Sequence, residues 1–204
     1  SQAVLIEGRT ALDLFVMPLV MVMVLTFIGV LNMPSFLAYY RRSGILRRLA
    51  VTPASPMMVL VAQVLVSILQ SVLGIGLALA VAAIVFEVKP PLHLGAAVGV
   101  LVLCAAAMYS AGMIVAAIAP TPSAAVAIGL VGFLGLGALG GMFGGRDALP
   151  DPVAEIGAHL PFGAGVDALS AAWAGQSVDA GSLLSLVITL VLGLVIALAL
   201  FRWE

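Results

Sequence analysis

Long apolar runs dominate this sequence, and they leave one class of fold open to it. A helix rises about 1.5 Å per residue and the hydrocarbon core of a bilayer is about 30 Å thick, so one crossing needs about 20 mostly apolar residues. Five runs reach that length: residues 14–39, 57–86, 92–119, 123–143 and 183–201. The first is interrupted by Pro18, Asn32 and Pro34, and the second is long enough to tilt or to protrude from the bilayer. Each run ends at punctuation: Arg41-Arg42, Lys89-Pro90-Pro91, Pro120-Thr121-Pro122, Gly144-Gly145-Arg146-Asp147 and Arg202. Composition closes off the soluble alternative. The chain is 64% hydrophobic and 8% charged, against about 45–50% and about 25% for soluble domains. So few charges cannot cover a water-facing surface, whereas lipid accepts an apolar one. The expected fold is all-α, a polytopic transmembrane bundle forming a single domain over residues 1–204.

Several function classes lack their residues. The net charge of −1 gives no basic surface for nucleic acid. Lys89 is the one lysine and follows Val88, so no GxxxxGK(S/T) phosphate-binding loop exists and the chain is not expected to be an ATPase. His93 and His159 belong to no metal-ligand spacing, and no serine stands in a GxSxG turn. Cys104, the single cysteine, sits in an apolar run and reads as a small core hydrophobe. No catalytic residue, metal site or cofactor is expected on this chain. No cleavable signal peptide is expected either, since the first apolar run is too long and lacks a small-residue cleavage site.

Arg41, Arg42, Arg47 and Arg48 crowd the first loop, which places that loop and the C-terminus in the cytoplasm and Lys89, Asp147 and Asp179 outside. The spans hold almost no ionisable group. The second carries Gln63, Ser67, Gln70 and Ser71, with Gly74 one turn on, at offsets that put all five on one helical face. That stripe is either a helix–helix seam or part of a substrate path, because lipid would not tolerate it. Residues 147–175 are too polar to span and contain Leu149-Pro150 and Leu160-Pro161; they are expected to form an external interfacial or re-entrant segment, with short helices over 153–160 and 166–173. Glycines four apart, such as Gly95 and Gly99, and the cluster from Gly135 to Gly145 suit close helix packing, with a flexible gate as the alternative for the cluster.

The first loop reads Arg41-Arg42-Ser43-Gly44-Ile45-Leu46-Arg47-Arg48-Leu49-Ala50-Val51-Thr52-Pro53. It makes a short helix with an apolar edge of Ile45, Leu46 and Leu49 and a basic face, closed by Pro53. This pattern resembles the cytoplasmic coupling helix of type-2 ABC transporter permeases, whose signature R-x-x-G-x-L-x-R-L-x-x-T-P is met by Arg41, Gly44, Leu46, Arg48, Leu49, Thr52 and Pro53. A second resemblance lies in Leu149-Pro150, Leu160-Pro161-Phe162 and Val166-Asp167-Ala168-Leu169, similar to the external LP…LP…DAL segment that the family places before its last span. The family usually has acidic residues before the coupling glycine, where this chain has Tyr39 and Tyr40. It also usually has six spans, which implies a chain truncated at its N-terminus or a first helix missing ahead of Ser1. The resemblance further implies an ATP-driven exporter of an amphipathic drug, lipid or glycolipid in a bacterial inner membrane. ATP and Mg would be bound by a separate ATPase subunit, and a second permease copy or a related permease would complete the assembly. A non-transporting membrane scaffold, or an assembly subunit of a larger complex, is the alternative.

Overall fold

The computed structural model describes residues 4–6, 9–43 and 56–200. Two short strands, β1 (Val4–Ile6) and β2 (Arg9–Thr10), pair antiparallel ahead of the helices. Among the described residues seven longer helices follow, with a 3-10 turn at Arg146–Ala148 between the fourth and fifth: α1 (Leu12–Arg42), α2 (Pro56–Phe86), α3 (Leu94–Ile118), α4 (Pro122–Leu139), α5 (Asp151–His159), α6 (Pro161–Trp173) and α7 (Ala180–Leu200). Five of these, α1, α2, α3, α4 and α7, are long and apolar enough to cross a membrane. The architecture is therefore an all-α polytopic bundle, with the small hairpin as an addition.

Helix α1 passes both of its prolines without stopping. A proline inside an α-helix lacks a donor, and its ring collides with the carbonyl four residues back. Here those carbonyls belong to Leu14 and Val30, and each lies in a π-helical stretch, Leu12–Val16 or Phe27–Asn32. The wider turns displace the carbonyl that each ring would meet, so Pro18 and Pro34 instead sit near the start of the α-helical pieces Met17–Thr26 and Met33–Arg42. The result is one rod of about 45 Å.

The two Leu-Pro pairs start helices. Leu149 and Leu160 are extended, as a residue before proline prefers. α5 begins directly after Pro150, and Pro161 occupies the first turn of α6. α6 starts five residues earlier than the expected short helix. It is not a surface helix: Phe162, Ala164, Val166, Leu169, Ala172 and Trp173 are buried against Met21, Val22 and Leu25 of α1, Cys104 and Met108 of α3, and Leu186 of α7. α5 differs: of its residues only Gly157 is buried, so the segment divides into a largely exposed helix and a buried one.

The bundle has two distinct ends. At one, Asp13 accepts from the Lys89 backbone N–H at 2.8 Å, and Trp173 Nε1 donates to the Lys89 carbonyl at 3.1 Å. At the other, the Arg41 guanidinium donates to the carbonyl of Ala119, in the turn between α3 and α4. That turn is short because Thr121 caps α4, its hydroxyl accepting from Ala124 N–H at 3.1 Å with Pro122 following.

Candidate functional site

The expected ATPase contact begins at the Arg41 end. Arg41 is half-buried and spent on the Ala119 carbonyl, so it ties the α3–α4 turn to the tip of α1. Arg42 and Ser43 beside it are exposed. The remaining expected coupling residues, Gly44, Ile45, Leu46, Arg47, Arg48, Leu49 and Pro53, lie outside the described residues.

Halfway along α1, the π-helical stretch Phe27–Asn32 meets three helices at once. A Cβ added at Gly112 of α3 would overlap the Gly29 carbonyl, and one at Gly129 of α4 would stand 2.6 Å from the Val30 carbonyl. Glycine at both positions lets α3 and α4 lie directly on the α1 backbone. Phe27 packs edge-on to Phe133 of α4 with ring centres 5.8 Å apart. Asn32 Nδ2 donates to Gln70 Oε1 of α2 at 3.1 Å.

That last bond belongs to a polar seam holding the second-span stripe. Gln63, Ser67 and Ser71 are buried, and among the described residues they supply most of the buried side chains of α2. The Tyr109 hydroxyl of α3 donates to the Ser67 carbonyl at 3.0 Å and lies 2.7 Å from Ser71 Oγ. The stripe therefore faces α1 and α3 rather than lipid. Its partners Asn32 and Tyr109 were not singled out by the sequence reading. A signal existed, since Tyr109 lies in the middle of a span, whereas Tyr39 and Tyr40 lie at the end of one.

At the Lys89 end the segment between α4 and α7 is tied down by polar contacts. Arg146, in the turn after α4, pairs with Asp167 on α6. That turn needs its glycines, because Gly141, Gly144 and Gly145 all have positive φ, at +93°, +133° and +86°. On the other flank, buried Asp13 accepts from Thr10 N–H at 2.7 Å as well as from Lys89 N–H, and Arg9 donates to the Pro90 carbonyl at 2.8 Å. The hairpin, the 87–93 loop and the C-terminal end of α6 are thus locked together. Of the expected external residues, Asp167 makes an ion pair, while Leu149, Pro150, Leu160 and Pro161 shape helix starts. Gly95 and Gly99 have nothing within 4 Å of where a Cβ would be, so they pack on no part of this chain among the described residues.

Five helices long and apolar enough to cross a membrane, with a buried helix packed among them before the last, define a polytopic membrane domain. The chain belongs to the ABC-2 type transporter family, which matches residues 3–173. The match takes in α1 through α6 and so includes both the basic loop and the two Leu-Pro pairs. It is the transmembrane domain of such transporters that is matched, not the ATPase. Comparison with curated proteins gives no significant match.

Proposed function

We propose that this chain is the membrane-spanning subunit of an ATP-driven exporter that moves an amphipathic drug, lipid or glycolipid out of a bacterial cell. ATP and Mg are used by a separate ABC ATPase that docks on residues 41–53. A second permease copy, or a related one, completes the path along the subunit interface. The observation that carries this reading is α1: an unbroken rod runs from the Asp13–Lys89 contact to Arg42, where the docking segment begins. Arg41 adds the α3–α4 turn to the same tip, so a displacement of the docking segment is delivered to three helices together. Such a displacement moves cargo only if binding differs between the inward and outward states. Gln63, Ser67, Gln70 and Ser71 become part of a path in this scheme when α1 and α3 part from α2. The low aromatic content, 6%, favours a drug or lipid over a polysaccharide, whose exporters line their channels with aromatics. The test is reconstitution with the ATPase partner and a panel of amphiphiles. At least one compound is expected to stimulate ATP hydrolysis and to accumulate on the far side of the vesicle. A panel that does neither, with both subunits folded and associated, removes the exporter reading.

The Arg41 end faces the cytoplasm in this scheme, and the Lys89 end faces outward. With Cys104 replaced, cysteines at Asp147 and Asp179 are expected to react with an impermeant maleimide added to intact cells, and one at Ser43 only after permeabilisation. Labelling at 43 from outside inverts the whole arrangement.

A further inference from the structure

Ser67 Oγ, in the polar seam of α2, is fully buried at 0% exposure and has no hydrogen-bond partner among the described residues. A buried hydroxyl in that condition is costly, and alanine would fill the place without the cost. A seam that served helix packing alone would therefore favour alanine there. The groups around Ser67 are paired. The Tyr109 hydroxyl donates its one proton to the Ser67 carbonyl at 3.0 Å, so Ser71 Oγ, 2.7 Å from that hydroxyl, is the donor in the second bond. Asn32 Nδ2 donates to Oε1 of Gln70, three residues on from Ser67, at 3.1 Å. The odd hydroxyl thus stands in the middle of a buried polar cluster drawn from α1, α2 and α3.

The cluster is also neutral. No Asp, Glu, Lys, Arg or His occurs in α1 from Leu14 to Tyr40, in α2, or in α3. Among the described residues the buried charged side chains are Arg9 and Asp13, both at the Lys89 end. A charged group entering between α2 and its neighbours would meet no counter-charge in surroundings of low dielectric. A purely apolar group would fare no better. Parting α2 from α1 and α3 frees the Asn32 amide and the Ser71 and Tyr109 hydroxyls as donors, and Gln70 Oε1 as an acceptor. Within a membrane each of these is costly when left bare. An occupant must therefore bring donors and acceptors together and no charge. Hydroxyl groups meet that demand, since each one both donates and accepts.

We propose that this seam selects the cargo, and that the cargo is an uncharged amphiphile whose head carries several hydroxyls, as a sugar head does, one of them bonded by Ser67. The assignment rests on the export reading above and narrows it to neutral, glycolipid-like molecules, against anionic lipids and cationic drugs. Lipids with one diacyl tail and a glucosyl, phosphoglycerol or trimethylammonium head separate the cases. The chain and its ATPase partner are reconstituted in phosphatidylcholine vesicles, and ATP hydrolysis and ATP-dependent transfer of each lipid to the far leaflet are measured. The glucosyl lipid is expected to be transferred and to stimulate hydrolysis, and the two charged lipids to do neither. Ser67→Ala is expected to need about tenfold more glucosyl lipid for half-maximal stimulation, the change that accompanies about 1.4 kcal/mol. The same variant is expected to melt in detergent at or above the temperature of the unmodified protein, because the hydroxyl it loses has no partner. A merely structural serine would give a lower melting temperature instead. Transfer of either charged lipid, beside the glucosyl lipid or in its place, overturns the assignment and leaves the export reading standing. Transfer of none of the lipids, with both subunits associated, overturns it as well, and the wider amphiphile panel then decides the export reading by itself. An unchanged half-maximal concentration in Ser67→Ala, or a lowered melting temperature, also overturns it.

Discussion

Gly112→Ala is expected to strip the bundle of its central crossing, while Gly95→Ala and Gly99→Ala on the same helix leave stability unchanged or slightly raised. A methyl at 112 would overlap the Gly29 carbonyl. The obstacle is backbone in the middle of α1, so no side chain can swing away, and α1 and α3 must separate along their length. Overpacking of a tight core costs about 1–3 kcal/mol, and a backbone obstacle puts this case at the upper end. The penalty outweighs the intrinsic helical gain of alanine over glycine, about 0.8–1.0 kcal/mol. At 95 and 99 only that gain operates, because nothing stands within 4 Å. Gly29→Ala meets the Met108 carbonyl from the other side, with its C and O atoms at 2.8 and 2.9 Å, and should lower stability by a similar amount. Combining Gly29→Ala with Gly112→Ala should cost less than the two losses added, since once the helices have parted both methyls find room. Thermal unfolding in detergent of the four single variants and the double reads this out. Gly112→Ala melting with the unmodified protein would show that α1 and α3 do not cross at these glycines.

Leu46→Asp is expected to detach the ATPase, with transport falling in parallel, while insertion of the chain in the membrane is unaffected. In the proposed docking segment Ile45, Leu46 and Leu49 form the apolar edge, and each such side chain contributes about 1.5–3 kcal/mol when fully buried. Losing one contact of that size weakens binding about 10- to 100-fold. Arg47→Ala should change it far less, because an exposed ion pair is worth about 0–1 kcal/mol. A segment that merely anchors at the lipid headgroups gives the opposite order, with arginine loss disturbing topology and Leu46→Asp doing little. Co-purification of the ATPase with each variant distinguishes the two. Full retention by Leu46→Asp, with full transport, would remove the coupling assignment.

The sequence made the number of crossings legible because a bilayer demands one simple thing, about 20 apolar residues in succession. It made the two short helices α5 and α6 legible through Leu-Pro, since proline both extends the residue before it and suits a first helical turn. It could not show that α6 lies at the centre of the bundle. In lipid the outside is as apolar as the inside, so the composition of Phe162–Trp173 carries no depth signal. The polar stripe of α2 was visible as a stripe, but its partners were not. Asn32 and Gln70 are 38 residues apart, as are Ser71 and Tyr109, and nothing local announces either pairing. The prolines of α1 were expected to interrupt it. What restores continuity is the local widening before each of them, a backbone response that a pattern of hydrophobicity does not encode.

Those two widened stretches mean that α1 does not keep time along its length. Each admits about one residue beyond a regular α-helical count, and one residue corresponds to about 100° of rotation at 3.6 residues per turn. The face that carries Asp13 is therefore out of phase with the face that carries Met21, and both are out of phase with the one that carries Arg41. A scan of α1 drawn on a single helical wheel would scatter its sensitive positions around the circle. Drawn on three wheels that restart after Val16 and after Asn32, the same positions gather onto one side of each.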